Sequence, residues 1–287
     1  MRQWAGHFFC TLIVSWMSIS AFAQNVDTPP QPETIEGALT HVFKSTDQGE
    51  LRLHVFIPSN HVASDRRAAV VFFFGGGWRR GSVEQFVPQS RHLAERGMVS
   101  IVADYRVSDR HGTSVFEAMA DAKSAIRWVR SHARELGIDP NRIVASGGSS
   151  GGHLAASSAV FDGFDDPTGD RTVSPRPDAL VLFNPALNLA RAGEASPLHY
   201  LAPGLPPTVI FHGKADEAVP YSQVEQFCAE SQRLDNQCQL FGYEGAPHGF
   251  FNSGRENGKW YRETLLEMDR FLTALSYLAS PPPEEIE

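Results

Sequence analysis

Six short apolar runs, at Ala69–Phe74, Val99–Ala103, Ile143–Ala145, Ala179–Phe183, Thr208–Phe211 and Gln239–Tyr243, recur between segments with helical patterning. A strand buried on both faces reads as an unbroken apolar run, because neither face meets water. Alternation of such runs with helices is the mark of a mostly parallel sheet covered by helices on both faces. The best helix is expected over about Ser114–Leu136, where Val115, Met119, Ala122, Ile126, Val129, Ala133 and Leu136 recur at alternating spacings of four and three. Further helices are expected after Tyr221 and over Lys259–Leu278. Upstream, Leu51, Leu53, Val55 and Ile57 alternate with polar residues, as in a half-buried antiparallel strand.

The ends of the chain read differently from its body. Arg2, the largely apolar stretch Phe8–Ile19 and the small-x-small triplet Ala21-Phe22-Ala23 match a secretory leader over residues 1–23, too short for a membrane span. That reading makes the protein secreted or periplasmic. Residues 24–287 are then one α/β domain, with a loose Pro-rich N-terminal segment over 24–45 and a frayed tail over 279–287. The net charge of −8 and the absence of Lys/Arg runs argue against nucleic acid or an anionic membrane as partner. Neither long connection, Asp162–Pro177 or Asn184–Pro207, is large enough for a lid domain, so the site is expected in an open cleft. No dinucleotide fingerprint, P-loop or zinc spacing is present, and no cofactor or metal is expected. With Cys10 in the leader, Cys228 and Cys238 remain, either as a disulfide or as two buried thiols. The oligomeric state leaves no mark in the sequence.

Chemistry concentrates in Arg142–Leu154, RIVASGGSSGGHL, a strand that turns sharply into a helix with Ser149 at the bend. Small residues flank Ser149 because side chains there would collide with the neighbouring strand and helix. The new helix aims its N–H groups and positive dipole end at any anion beside Ser149. A serine hydroxyl needs a base, an orienting acid and donors for an oxyanion. Gly75-Gly76-Gly77-Trp78, straight after the strand Val70–Phe74, offers backbone donors. Asp216, in HGKADEAVP after the strand Thr208–Phe211, is the acid candidate, with Glu217 its neighbouring competitor. His248, in the turn GAPHGFF, is the base candidate, while His153 reads as a packed helix residue. The order Ser, Asp, His along the chain is that of α/β-hydrolases.

The segments FFFGGGWRRGS, VADYR, RWVRSHARELGIDPNRI, SGGSSGGHLA, LVLFNP, IFHGKADEAVP and EGAPHGFF resemble the α/β-hydrolase esterases related to hormone-sensitive lipase. Within that group the chain is similar to acetylxylan-esterase-like carbohydrate esterases, over about Leu51–Leu278. The resemblance implies a Ser149–His248–Asp216 triad, an oxyanion hole from Gly76, Gly77 and the Ser150 N–H, and an acyl-enzyme mechanism. Its substrate is then an acylated carbohydrate such as acetylated xylan, or a small ester; Trp78, Tyr200, Phe250 and Phe251 either line a sugar-binding face or pack in the core and loops. Short-chain carboxylesterase or feruloyl esterase activity is the alternative; a serine peptidase or a non-catalytic binding protein fits less well. Two departures stand out: Phe74 occupies the place of the histidine of H-G-G-G, and Ser150 replaces the usual alanine.

Overall fold

The computed structural model describes Met1, residues 28–190 and residues 192–279. The expected leader, apart from Met1, and nearly all of the expected tail lie outside the described residues. Among the described residues eight strands form one sheet: β1 (Leu39–Thr46), β2 (Gly49–Phe56), β3 (Arg67–Phe73), β4 (Val99–Ala103), β5 (Ile138–Gly148), β6 (Ala179–Phe183), β7 (Thr208–Gly213) and β8 (Cys238–Tyr243). Their spatial order is β1-β2-β4-β3-β5-β6-β7-β8. From β4 to β8 every pairing is parallel; only β1–β2 and β2–β4 are antiparallel. All five residues of β4, all five of β6 and all six of β7 are buried, as their unbroken apolar runs require.

Among the described residues six α-helices pack around the sheet: α1 (Val87–Glu95), α2 (Ser108–His111), α3 (Val115–Ser131), α4 (Ser150–Val160), α5 (Tyr221–Arg233) and α6 (Lys259–Ala274). A capping box starts α3: Phe116 N–H donates to Ser114 Oγ at 3.2 Å, and Glu117 Oε2 accepts the Ser114 N–H at 2.8 Å. The expected end at Leu136 is too late. After Ser131 the chain continues as tight turns that close when Ile138 N–H reaches Ala133 O at 2.7 Å, yet Ala133 and Leu136 stay buried. The last helix likewise stops at Ala274, although Leu278 is buried beyond it.

The expectation of a loose segment over 24–45 is corrected by β1. That strand pairs with β2 from Leu39↔Val55 to Thr46↔Gly49. It is also pinned from the side: Lys44 Nζ lies 2.7 Å from Asp121 on α3, a fully buried carboxylate that also takes two hydrogen bonds from the Arg106 guanidinium. Burying that carboxylate alone would cost several kcal/mol, roughly, so its cationic partners come as a set.

The connection 162–177 is held to α3 by Lys123, itself 1% exposed, which donates to Phe161 O at 2.6 Å and to Gly163 O. In the connection 184–207 two short 3₁₀ turns, Gly193–Ala195 and Pro197–Tyr200, lie beside α4, where His153 bonds to Ala195 O. The carboxyl ends of β3, β5, β6, β7 and β8 meet at one edge of the sheet, the edge where open α/β sheets place their ligands.

Candidate active site

β5 delivers Ser149 to that edge at φ 54°, ψ −116°. A non-glycine residue there is strained, and the surroundings hold it: Ser149 N–H donates to Phe183 O at 2.9 Å, and Ser149 O accepts the N–H of His153 at 3.0 Å. The glycines follow from the closeness of this crossing. A Cβ on Gly151 would sit 2.0 Å from Phe73 O, and one on Gly147 2.5 Å from both Phe73 O and Gly151 O. Ser149 is partly exposed and opens α4, so the unpaired amides of that helix point past it.

The turn after β8 brings His248 Nε2 to 3.0 Å from Ser149 Oγ, and His248 Nδ1 to 2.7 Å from Asp216 Oδ2. Asp216 follows β7 and its side chain is fully buried, whereas Glu217 beside it is exposed. Asp216 Oδ1 accepts the N–H groups of Ala218 and Val219 at 2.9 and 2.8 Å, and His212 Nε2 lies 3.3 Å from Oδ2. Burial raises the Asp216 pKa, but the hydrogen bonds from His212, His248 and Val219 outweigh it and hold the carboxyl well below the usual range. Asp216 is thus an anion and only accepts. Nδ1 of His248 therefore carries the proton, leaving Nε2 bare to accept from the Ser149 hydroxyl.

Of the three expected oxyanion donors, two differ in state from the third. The amides of Gly76 and Ser150 have no partner among the described residues, and one lies on the glycine loop and the other at the start of α4. The N–H of Gly77 instead donates to Ser150 Oγ at 3.0 Å, because a hydroxyl at that position offers an acceptor that alanine lacks. Phe74, without an imidazole, is supported otherwise: its ring stacks on Tyr105 at 4.1 Å and its carbonyl accepts the Tyr105 hydroxyl at 2.8 Å.

Three amide side chains that left no sequence signal join the loops. Gly75 N–H donates to Gln85 Oε1 at 2.6 Å, Gln85 Nε2 donates to Asn252 Oδ1 at 3.1 Å, and Asn252 Nδ2 donates to Gly249 O at 2.7 Å. Asn184, at the end of β6 with φ 33°, accepts the Gly249 N–H. The glycine loop and the histidine turn are therefore one connected unit.

The expected sugar-binding aromatics separate. Trp78 is half-buried with its ring edge-on to His153 at 5.0 Å, one helical turn from Ser149. Phe250 is fully buried among Tyr243, Phe251 and Trp260, a core residue rather than a wall of the cleft. Tyr200 is exposed but its ring packs, tilted, against Phe161 past the far end of α4, about 16 Å along the helix from Ser149. His153 is buried, bonded to Ala195 O at 2.7 Å, and lowered by that burial to a pKa of about 4. Cys228 on α5 and Cys238 on β8 form a disulfide. Among the described residues no cluster of three His, Cys, Asp or Glu side chains is placed to hold a metal, and no helix is long and apolar enough to cross a membrane.

The BD-FAE family model matches residues 53–177 and 165–230, more than half of the chain. Est2, an esterase from the planctomycete Thermogutta terrifontis solved with propionate bound, is 46% identical with a TM-score of 0.83, covering 85% of this chain and 97% of that one. The same esterase phosphoramylated by tabun matches at 46% identity and a TM-score of 0.84, covering 87% and 98%. LipM of Mycobacterium tuberculosis, a probable carboxylic ester hydrolase, is 28% identical over 56% of this chain and 44% of its own. LipC, an esterase of the same organism, is 29% identical over 61% and 51%. The chain spans about half the length of these curated relatives. With its sheet order, its strained serine and its match to the family model over more than half of its length, the chain has the α/β-hydrolase fold and belongs to the BD-FAE family.

Proposed function

We propose that this protein is a serine carboxylic ester hydrolase acting through an acyl-enzyme on Ser149. The observation that carries the reading is the unbroken line from Ser149 Oγ through His248 to the ionised Asp216, at 3.0 and 2.7 Å. Ser149 Oγ attacks the ester carbonyl while His248 Nε2 takes its proton, and Asp216 holds the tautomer and stabilises the imidazolium. The Gly76 and Ser150 amides meet the oxyanion, where one donor contributes about 3 kcal/mol to lowering the barrier. His248 then protonates the leaving alcohol, and water activated by the same imidazole releases the acid.

On the alcohol side, the reading extends to an acetylated polysaccharide such as xylan. The exposure of Gly77, Arg79 and Arg80 along the glycine loop supports it, since a bulky alcohol half can project past an open rim. Export from the cytosol fits the leader pattern, and the disulfide supports it, because such bonds persist in oxidising compartments.

The test is acetate release from acetylated xylan beside hydrolysis of 4-nitrophenyl acetate, 4-nitrophenyl butyrate and methyl ferulate. Ser149→Ala abolishes turnover, and Asp216→Asn lowers kcat about 10⁴-fold by reversing the tautomer. Fast aryl-ester turnover with an inert polymer would remove the carbohydrate reading and leave a short-chain esterase. Full activity in Ser149→Ala would end the acyl-enzyme scheme. Cell fractionation with an antibody decides the compartment.

A further inference from the structure

The residue after Ser149 carries a hydroxyl that is fully buried, and a buried hydroxyl is costly unless it is hydrogen-bonded. Ser150 Oγ accepts the N–H of Gly77 at 3.0 Å. Tyr105, also fully buried, donates its hydroxyl to Phe74 O at 2.8 Å. Burial pushes the Tyr105 phenol up, and hydrogen bonding to the Ser150 hydroxyl acts against that rise. Phe74 and Gly77 bracket Gly75 and Gly76, so the glycine loop is strung between two buried hydroxyl anchors. Such anchoring matters here because Gly76 and Gly77 have φ of 137° and 67° and no side chains to hold them.

We propose that Ser150 and Tyr105 are positioning residues for the oxyanion hole, fixing the glycine loop through Gly77 and Phe74 so that the Gly76 N–H stays aligned with that of Ser150. The proposal rests on the ester-hydrolase reading, in which those two amides meet the oxyanion. Ser150 then serves the hole twice, giving one donor from its backbone and fixing the other through its side chain.

The experiment compares Ser150→Ala and Tyr105→Phe with the wild type in three measurements. The first is amide hydrogen exchange on protein labelled with ¹⁵N-glycine, with Gly213 on β7 as internal reference. Gly77 exchanges about 10-fold faster in Ser150→Ala, while Gly213 is unchanged. The second is hydrolysis of 4-nitrophenyl butyrate, where kcat falls roughly 10- to 100-fold in either variant with KM within about twofold. The third sets the rate of phosphorylation by paraoxon against inhibition by butyrate. The former falls in parallel with kcat and the latter does not move, a split that general loosening of the fold would not give. Unchanged Gly77 exchange with unchanged kcat overturns the proposal. So does a rise in kcat for Ser150→Ala, which would mean that a freed Gly77 amide improves the hole. A wild type inert to both esters and paraoxon would fail the hydrolase reading instead, and the exchange rates would still decide whether Ser150 holds the loop.

Discussion

Asn184 Oδ1 accepts the backbone N–H of Gly249 at 3.1 Å, fastening the end of β6 to the residue that follows His248. Ser149 is sewn to the same strand end through Phe183 O, so nucleophile and base are referenced to one point of the sheet. Asn184→Ala removes the fastening without touching any reacting atom. We expect kcat for 4-nitrophenyl butyrate to fall about 10-fold, the equivalent of one hydrogen bond, with KM little changed. Equal kcat in variant and wild type would show that the turn holds His248 without it.

The crossing of β3 over the start of α4 predicts a steep cost for one methyl group. A Cβ at Gly151 meets the Phe73 backbone at 2.0 Å, which no side-chain rotation relieves. Gly151→Ala is expected to lose more than about 4 kcal/mol or to fail to fold. Gly163→Ala, whose Cβ would meet nothing within 4 Å, is expected to change stability by less than about 0.5 kcal/mol. Denaturant unfolding measures both, and similar values for the two would contradict the packing described at the elbow.

Asp104 predicts a pH effect on stability. Burial pushes its carboxyl up to about 7 against the opposing charge of Arg110, 3.8 Å away. As pH rises from its ordinary value of 3.8, the unfolded chain ionises this group while the folded one keeps the proton, so stability is lost up to about pH 7. Asp104→Asn lacks this slope. Its melting temperature should therefore gain on the wild type's between roughly pH 4 and pH 8. A constant difference across that range would show that Asp104 ionises normally in the fold.

Much of this molecule was legible because burial writes itself into composition. Strands such as β6 and β7 have both faces covered, and their runs of Val, Leu, Ile and Phe announce it. The elbow was legible because steric exclusion leaves glycines in a row. β1 was missed because LTHVFKST is half-exposed and carries no periodicity; its pairing with β2 and the Lys44–Asp121 contact decide it. Gln85, Asn252 and Asn184 lie far apart in the chain, and only the fold brings their amides to the two loops. Phe250 and Tyr200 mark a further limit, since aromatic identity does not say which way a ring faces.

The disulfide closes a short stretch of sequence, with a separation of 10 residues. Replacing both Cys228 and Cys238 by alanine is expected to cost about 3 kcal/mol, with kcat at 25 °C within about twofold of the wild type. Chemical unfolding with and without a reductant checks the value. No loss of stability on reduction would make the bond dispensable.

That crosslink has a bearing on how the molecule fails. Acid and base stand 32 residues apart in the chain, and α5 and β8 fill the interval. The excursion is thus closed at its mouth by the Asp216–His248 contact and cinched midway by sulfur. β8 ends the sheet while the serine's strand β5 lies between β3 and β6, so heating is expected to part the carboxylate from the imidazole before β5 gives way.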